Sequence, residues 1–267
     1  MRPPDFVDVQ TDFVRVTCRH FEAVGSTNSE AMAWLRSAEP GSWFACSAAH
    51  QTAGRGRLGR EWTDVAGEDV LLSVGHRWRQ SPGPERLAEL NLGVAVVVRE
   101  ALAALLSPQD AAELRIKWPN DLFAGERKLA GLLLETSWRG ADWGGWVLGI
   151  GLNGGRRGGS GPAGWGDAGG TEGAEVLRTR IVRAVVDAVE AWERGGWDGP
   201  EAAVARFDAV AFGAGEMREF EVEGRTWSGK FLGVETDGRG RFAWVPDGDG
   251  MRPPELCGWG EVVWRLN

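Results

Sequence analysis

Between His50 and Arg60 the chain places three arginines, Arg55, Arg57 and Arg60, and no acid, and it separates them with glycines at 54, 56 and 59. Guanidinium groups are planar, permanently charged and forked, which suits phosphate and carboxylate oxygens. Glycine lets backbone amides approach an anion closely. The stretch QTAGRGRLGREW therefore reads as a clamp for an anion. The whole chain carries 30 basic and 38 acidic residues, a net charge of −8. That balance excludes a protein whose main task is coating nucleic acid, so the positive island favours a small polyanion over a long one.

The same glycines formally spell G-x-G-x-x-G, but the context is wrong for a dinucleotide-binding turn, which needs a helix after the glycines. REWTDVAGEDV, after Gly59, holds a glycine, a turn-prone Asp64 and no apolar helical stripe. A Walker loop would need G-K-[ST], and a protein kinase H-R-D and D-F-G; neither set is present. Arginine-glycine tracts that bind RNA as disordered segments are repeated, whereas this one occurs once inside a region that reads as folded.

The elements that must hold this clamp follow from hydrophobic period and turn signals. Residues 13–24 read as a strand and 27–37 as a short helix, with Thr27 and Glu30 spaced as a capping box. Strands are expected at 43–49 and 69–76, which puts the arginine-glycine stretch in an exposed loop between them. Leu87, Leu90, Val94 and Val98 predict a helix over 84–106, started by Pro84 and ended by Pro108. Apolar strands at 114–118, 132–138 and 146–152 follow, with a hairpin turn at 124–128. The segment 154–173 is so rich in glycine that it reads as a mobile surface loop. Helices over 175–193 and 199–212 lead to a β-only tail, 218–266, with the turn cadence of a small barrel. Strands and helices out of strict alternation mean an α+β fold with a mixed β-sheet. A domain boundary near Gly215 divides the chain into 1–214 and 215–267.

Four motifs occur in order: GSTNSEA at 25–31, QTAGRGRLGREW at 51–62, KWPNDL at 117–122, and KLAGLLLE at 128–135 closing with GIGLN at 149–153. Singly each is weak. Together they resemble the biotin protein ligase family, over about residues 25–153. The resemblance implies a class II synthetase-like biotin/lipoate ligase catalytic fold, a mixed β-sheet backed by helices, followed by a small SH3-like β-barrel. It implies adenylation of biotin by ATP to biotinyl-5′-AMP with release of pyrophosphate, then transfer to a lysine of a carboxylase biotin carrier domain.

By that resemblance Lys128 sits between biotin's carboxylate and the α-phosphate, helped by Arg55 and Arg57, because the first step sets one anion against another. Ser26 and Gln51 match positions that satisfy biotin's ureido ring. Thr27 either contributes there or serves as a helix cap. Gly54, Gly131, Gly149 and Gly151 would leave the ligand room, or mark turns and bulges. For ATP, the matching residues are Arg55, Gly56, Arg57, Arg60, Lys117, Asn120 on the adenine edge, and Trp62 stacked on its face or simply core. Asp121 is either a turn aspartate or the group that orients the carrier lysine, whose free pKa is about 10.4. Glu135 and Asn153 complete the pattern, Asn153 grouped with the ATP-binding residues and neither with a specific role assigned. Many family members carry an N-terminal winged helix-turn-helix; only 24 residues precede GSTN here, which predicts a ligase without operator binding. A lipoate protein ligase and a non-catalytic nucleotide- or RNA-binding module are the competing readings.

Three cysteines, Cys18, Cys46 and Cys257, and three histidines, His20, His50 and His76, lie far apart and lack ligand spacing. No disulfide framework and no protein-held metal are expected, so magnesium would arrive with ATP. The absence of a targeting or membrane segment predicts a cytoplasmic protein without membrane contact, and a homodimer stays open. Fifteen tryptophans with no tyrosine suggest codon drift more than mechanism.

Overall fold

The computed structural model describes residues 5–80, 82, 85–139, 142–195 and 197–266. Eight strands form one sheet: β1 (Asp5–Gln10), β2 (Arg15–Phe21), β3 (Trp43–Ala48), β4 (Val70–Arg77), β5 (Leu114–Lys117), β6 (Asp121–Ala124), β7 (Arg127–Arg139) and β8 (Asp142–Leu152). Their order is β1-β2-β3-β4-β8-β7-β6-β5. β2 and β3 run parallel, and the other neighbours antiparallel. This is the mixed sheet expected.

Helix α1 (Thr27–Leu35) covers one face at β3, β4 and β8, while α2 (Glu85–Ala103), α4 (Ala174–Glu193) and α5 (Pro200–Ala209) pack together behind the sheet. With helices on both sides, β4 is buried along almost its whole length. Leu90, Val94, Val98 and Leu102 turn the apolar stripe of α2 into the core. Four of the many tryptophans, Trp43, Trp78, Trp146 and Trp192, are buried there as well, with Trp43 Nε1 donating to Glu190 Oε1 at 2.7 Å.

A second, barrel-like antiparallel sheet follows: β9 (Met217–Val222), β10 (Arg225–Val234), β11 (Gly240–Trp244), β12 (Leu256–Cys257) and β13 (Val262–Arg265), in the order β12-β11-β10-β9-β13. Its aromatic core is joined by Trp118 from the β5–β6 turn. That indole is fully buried, 6.1 Å from Phe231 and 5.9 Å from Phe242, and donates to Gly238 O at 3.0 Å. The tail therefore sits on the KWPND turn.

Several expectations are corrected. The sequence reading found no element before residue 13, yet β1 pairs with β2 from Asp5↔His20 to Gln10↔Arg15; a short edge strand carries no long apolar run to betray it. Pro108 does not merely end a helix. It opens α3 (Pro108–Glu113), whose N-cap Ser107 accepts from Asp110 N at 3.2 Å. α2 stops at Ala103, and its expected start at Pro84 lies outside the described residues. The capping box does not form, because the N-cap is Ser26 without a side-chain bond and the Thr27 hydroxyl turns to Gln51 and Ser73.

The segment 154–173 is organised rather than loose. Asp167 Oδ2 accepts from the amides of Arg157, Gly158 and Gly164 at 3.0, 3.2 and 3.0 Å and from Arg127 at 3.2 Å. Arg157 in turn forks onto Asp69, 2.6 Å to each oxygen. Ala163 and Trp165 are buried. One carboxylate collecting several amides orders a loop whose own side chains are too small to do so.

Candidate ligand and anion site

A cavity of about 400 Å³ lies between the α1 face of the sheet, the arginine-glycine loop and β13. The loop folds on itself: Arg55 pairs with Glu61, Gly56 N donates to Arg60 O at 2.7 Å, Trp62 N donates to Gly54 O at 3.0 Å, and a 3₁₀ turn (Arg57–Gly59) forms the tip. Gly54 is needed because a Cβ there would come 2.5 Å from Trp62 O. The expected cradle of loop amides is thus not available at Gly56, whose N–H is already bonded within the loop. What the loop offers is charge. Its base is fixed by Asp64, which accepts from Gln51 N at 3.1 Å and pairs with His50 at 2.9 Å.

Three strands bring the cations together. Lys117 and Asp121 face each other across the β5–β6 hairpin, and Lys128 reaches over from β7. Lys128 Nζ lies 2.7 Å from Asp121 Oδ1, and Lys117 Nζ lies 3.5 Å from Asp121 Oδ2. Arg57 donates to Asn120 Oδ1 at 3.1 Å, and Asn120 Nδ2 donates to Leu132 O. Burial pulls the Lys117 ammonium below the ordinary lysine pKa, with Asp121 opposing the shift and Lys128 adding to it. Burial does the same to Arg57, again opposed by Asp121. An anion entering here would restore the counter-charge these groups lack.

The other end of the cavity is neutral and polar. Ser26 and Thr27 are buried and line it with Gln51, and Gln51 Oε1 accepts both the Thr27 amide, at 2.7 Å, and the Thr27 hydroxyl, at 3.1 Å. Arg55 is held at the rim by Ser29, 2.8 Å away, and by Glu135 at 3.4 Å. Arg60 stands exposed beside it.

The glycines divide by use. A Cβ on Gly151 or Gly131 would lie 2.4 or 3.0 Å from the Trp62 ring, so in this structure the indole fills the space expected for a ligand, with Lys128 Nζ 5.5 Å from its ring centre. A Cβ on Gly149 would come 2.3 Å from Asn28 Oδ1; that glycine makes room for a protein side chain. Gly54 and Asn153 stand outside the lining. Asn153 donates instead to the carbonyls of Lys128, at 3.2 Å, and Ala163, at 3.0 Å, tying β7 to the glycine-rich segment.

Sequence reasoning missed Ser73, which bonds Thr27 at 2.8 Å, and gave Asn28 no role inside its motif. It also missed the wall supplied by the tail, where Val262 and Trp264 line the cavity and Arg57 lies 5.6 Å over the Trp259 ring. Among the described residues no three His, Cys, Asp or Glu side chains come together to hold a metal, and no helix is long and apolar enough to cross a membrane.

The structure resembles that of the biotin protein ligase from Aquifex aeolicus in complex with biotin and ATP, with a TM-score of 0.69 and 22% identity, covering 94% of this chain and 99% of that one. Against the Leishmania major biotin protein ligase in complex with biotinyl-5-AMP the TM-score is 0.62 at 25% identity, covering 88% and 96%. In sequence, the chain is 41% identical over 109 residues to the bifunctional ligase/repressor BirA of Escherichia coli, 41% of this chain and 32% of that protein. It is 39% identical over 129 residues to the biotin--[acetyl-CoA-carboxylase] ligase of Mycobacterium tuberculosis, 48% and 46% of the two lengths. The matched stretch thus spans less than half the length of these relatives, 32% and 46%. The model of the Biotin/lipoate A/B protein ligase family matches residues 21–153, which hold all four motifs, and by this match the chain belongs to that family.

Proposed function

We propose that the protein is an ATP-dependent biotin protein ligase. The observation that carries the reading is one cavity with two unlike ends. A neutral polar end of Ser26, Thr27 and Gln51 suits a ureido ring, and a cationic end of Lys117, Lys128 and Arg57 around Asp121 suits a carboxylate meeting phosphate. The structures it resembles, with bound biotin and ATP or biotinyl-5-AMP, support the same assignment.

In the first step a carboxylate oxygen of biotin attacks the α-phosphorus of ATP and pyrophosphate leaves. The barrier is repulsion between anions, which fixed cations in a partly dry site lower. Lys128 is proposed to leave Asp121 for the developing charge, with Arg55 and Arg57 on the phosphates and Lys117 beneath them. Asn120 and Trp62 are proposed for the adenine, which requires Trp62 to leave Gly131 and Gly151. Magnesium enters as the counter-ion of ATP. In the second step the amine of a carrier lysine attacks the acyl carbon and AMP leaves; Asp121, released by Lys128, is placed to accept or orient that amine's proton.

The partner is proposed to be a carboxylase biotin carrier domain, met in the cytoplasm by a two-domain enzyme divided near residue 215. Operator binding is not part of the proposal, and a gel shift with biotin and ATP checks it. Incubation with ATP, biotin and a purified carrier domain tests the whole reaction. One biotinyl group on one lysine is expected by intact mass, and none when that lysine is replaced by arginine. A carrier left unmodified would contradict it.

A further inference from the structure

The hydrogen bonds behind the polar end of the cavity run in one direction, and their far terminus forces it. Asn28 Nδ2 stands 2.6 Å from Glu135 Oε2 and 3.4 Å from Leu133 O. Both partners are acceptors, so that side of the amide is its NH2 and Oδ1 is left facing Ser73. Arg55, 3.4 Å from the same Glu135 oxygen, is a second donor that keeps this terminus an acceptor. Asn28 Oδ1 can only accept, and the Ser73 hydroxyl, 2.5 Å away, gives it its single proton. Ser73 Oγ is then an acceptor towards Thr27 Oγ1 at 2.8 Å.

The remaining neighbour of the Thr27 hydroxyl is Gln51 Oε1 at 3.1 Å, also an acceptor because it takes the Thr27 amide at 2.7 Å. Among the described residues, every partner offered to Thr27 Oγ1 is therefore an acceptor. Its proton is held inward and only lone pairs face the cavity. Thr27, Asn28 and Ser73 are all buried, at 4, 4 and 0% exposure, so bulk water does not scramble the order. Gly149 leaves the Asn28 amide the space it needs.

We propose that Glu135, Asn28 and Ser73 are positioning residues that fix the Thr27 hydroxyl as a hydrogen-bond acceptor, and so make this end of the cavity select ligands that present an N–H. The inference rests on the biotin reading above. A cyclic urea presents that N–H and a dithiolane ring does not. A site built to satisfy a buried donor rejects the analogue without one, because its own lone pairs would stay unpaired.

The experiment is a set of mutant cycles. Ser73→Ala and Asn28→Ala are each made with Thr27 and with Thr27→Val, and biotin-dependent pyrophosphate exchange gives KM for biotin, KM for ATP and kcat, with Tm measured for every protein. With Thr27 present, each substitution raises KM for biotin about tenfold, the loss of one well-directed hydrogen bond. KM for ATP and kcat stay within about twofold, because the group touches only bound biotin. In the Thr27→Val proteins the same substitutions have no further effect. Additive losses in both backgrounds, or an unchanged KM for biotin, overturn the inference while leaving the ligase reading intact. No biotin-dependent exchange by the unsubstituted protein overturns both.

Discussion

Lys128 Nζ stands 2.7 Å from Asp121 Oδ1 while Lys117 Nζ approaches the other oxygen of that carboxylate at 3.5 Å, so one acid holds two ammonium groups against the wall of the cavity. The arrangement stores cationic charge where two anions must meet, with one carboxylate shared between two ammonium groups until they arrive. It also gives the two lysines different work: Lys128 is more than a third exposed in its side chain and free to move, whereas Lys117 is largely enclosed.

Lys128→Ala is expected to lower biotin-dependent pyrophosphate exchange by about 100-fold or more, the scale seen when one preorganised charge donor is removed. Steady-state exchange at saturating ATP and biotin measures it. An exchange rate near that of the unsubstituted protein would take Lys128 out of the chemistry.

Lys117 predicts an opposition between stability and activity. Its folded pKa lies below the ordinary value of 10.5 because burial disfavours the charge. The unfolded chain therefore binds the proton more tightly, and the penalty is fully present at neutral pH and vanishes as pH rises through the folded pKa to 10.5. Lys117→Met should raise Tm near neutral pH, by an amount that shrinks towards alkaline pH, while exchange activity falls. Asp121 keeps Lys128 as its partner in this variant, so no buried acid is stranded. Thermal melts across pH would show the reverse if Lys117 were a stabilising ion pair.

Gly149→Ala should cost about 1–3 kcal/mol by overpacking, since the new Cβ would lie 2.3 Å from Asn28 Oδ1. Combining it with Asn28→Ala should return part of that loss, because the two changes act on the same space. Urea unfolding of the four proteins gives the coupling; strict additivity would mean that Asn28 moves aside at no cost.

How far the sequence could be read depended on whether the partners were neighbours in the chain. Lys117 and Asp121 lie in one hexapeptide, Arg55 and Arg57 in one loop, and the mixed sheet with its barrel-like tail follows from apolar runs and turn signals. Asn28 meets Ser73 and Glu135 across 45 and 107 residues. No periodicity encodes that meeting. β1 was invisible for a different reason, since in DFVDVQ the aspartates at 5 and 8 leave apolar stretches of only two residues and one. In 154–173, composition suggested disorder because glycine contributes no packing, yet much of the order comes from Asp167, a single residue whose partners are three backbone amides and the Arg127 guanidinium.

That loop gives a fourth prediction. The amides of Gly164 and Arg157, foremost among the groups bonded to it, pull the Asp167 carboxyl down to about 2 from 3.8. A depressed carboxylate contributes stability above 3.8, and that contribution is lost as pH falls through about 2. Asp167→Asn should therefore lower Tm at neutral pH, and the gap should close as the solution is acidified through this range. A constant gap at all pH would assign the effect to shape alone.

The most direct test of the central claim is pyrophosphate exchange into ATP by the purified protein, run separately with biotin, with lipoate and with neither. Exchange with biotin alone is the predicted result. Exchange supported by lipoate, or by neither compound, would contradict the account.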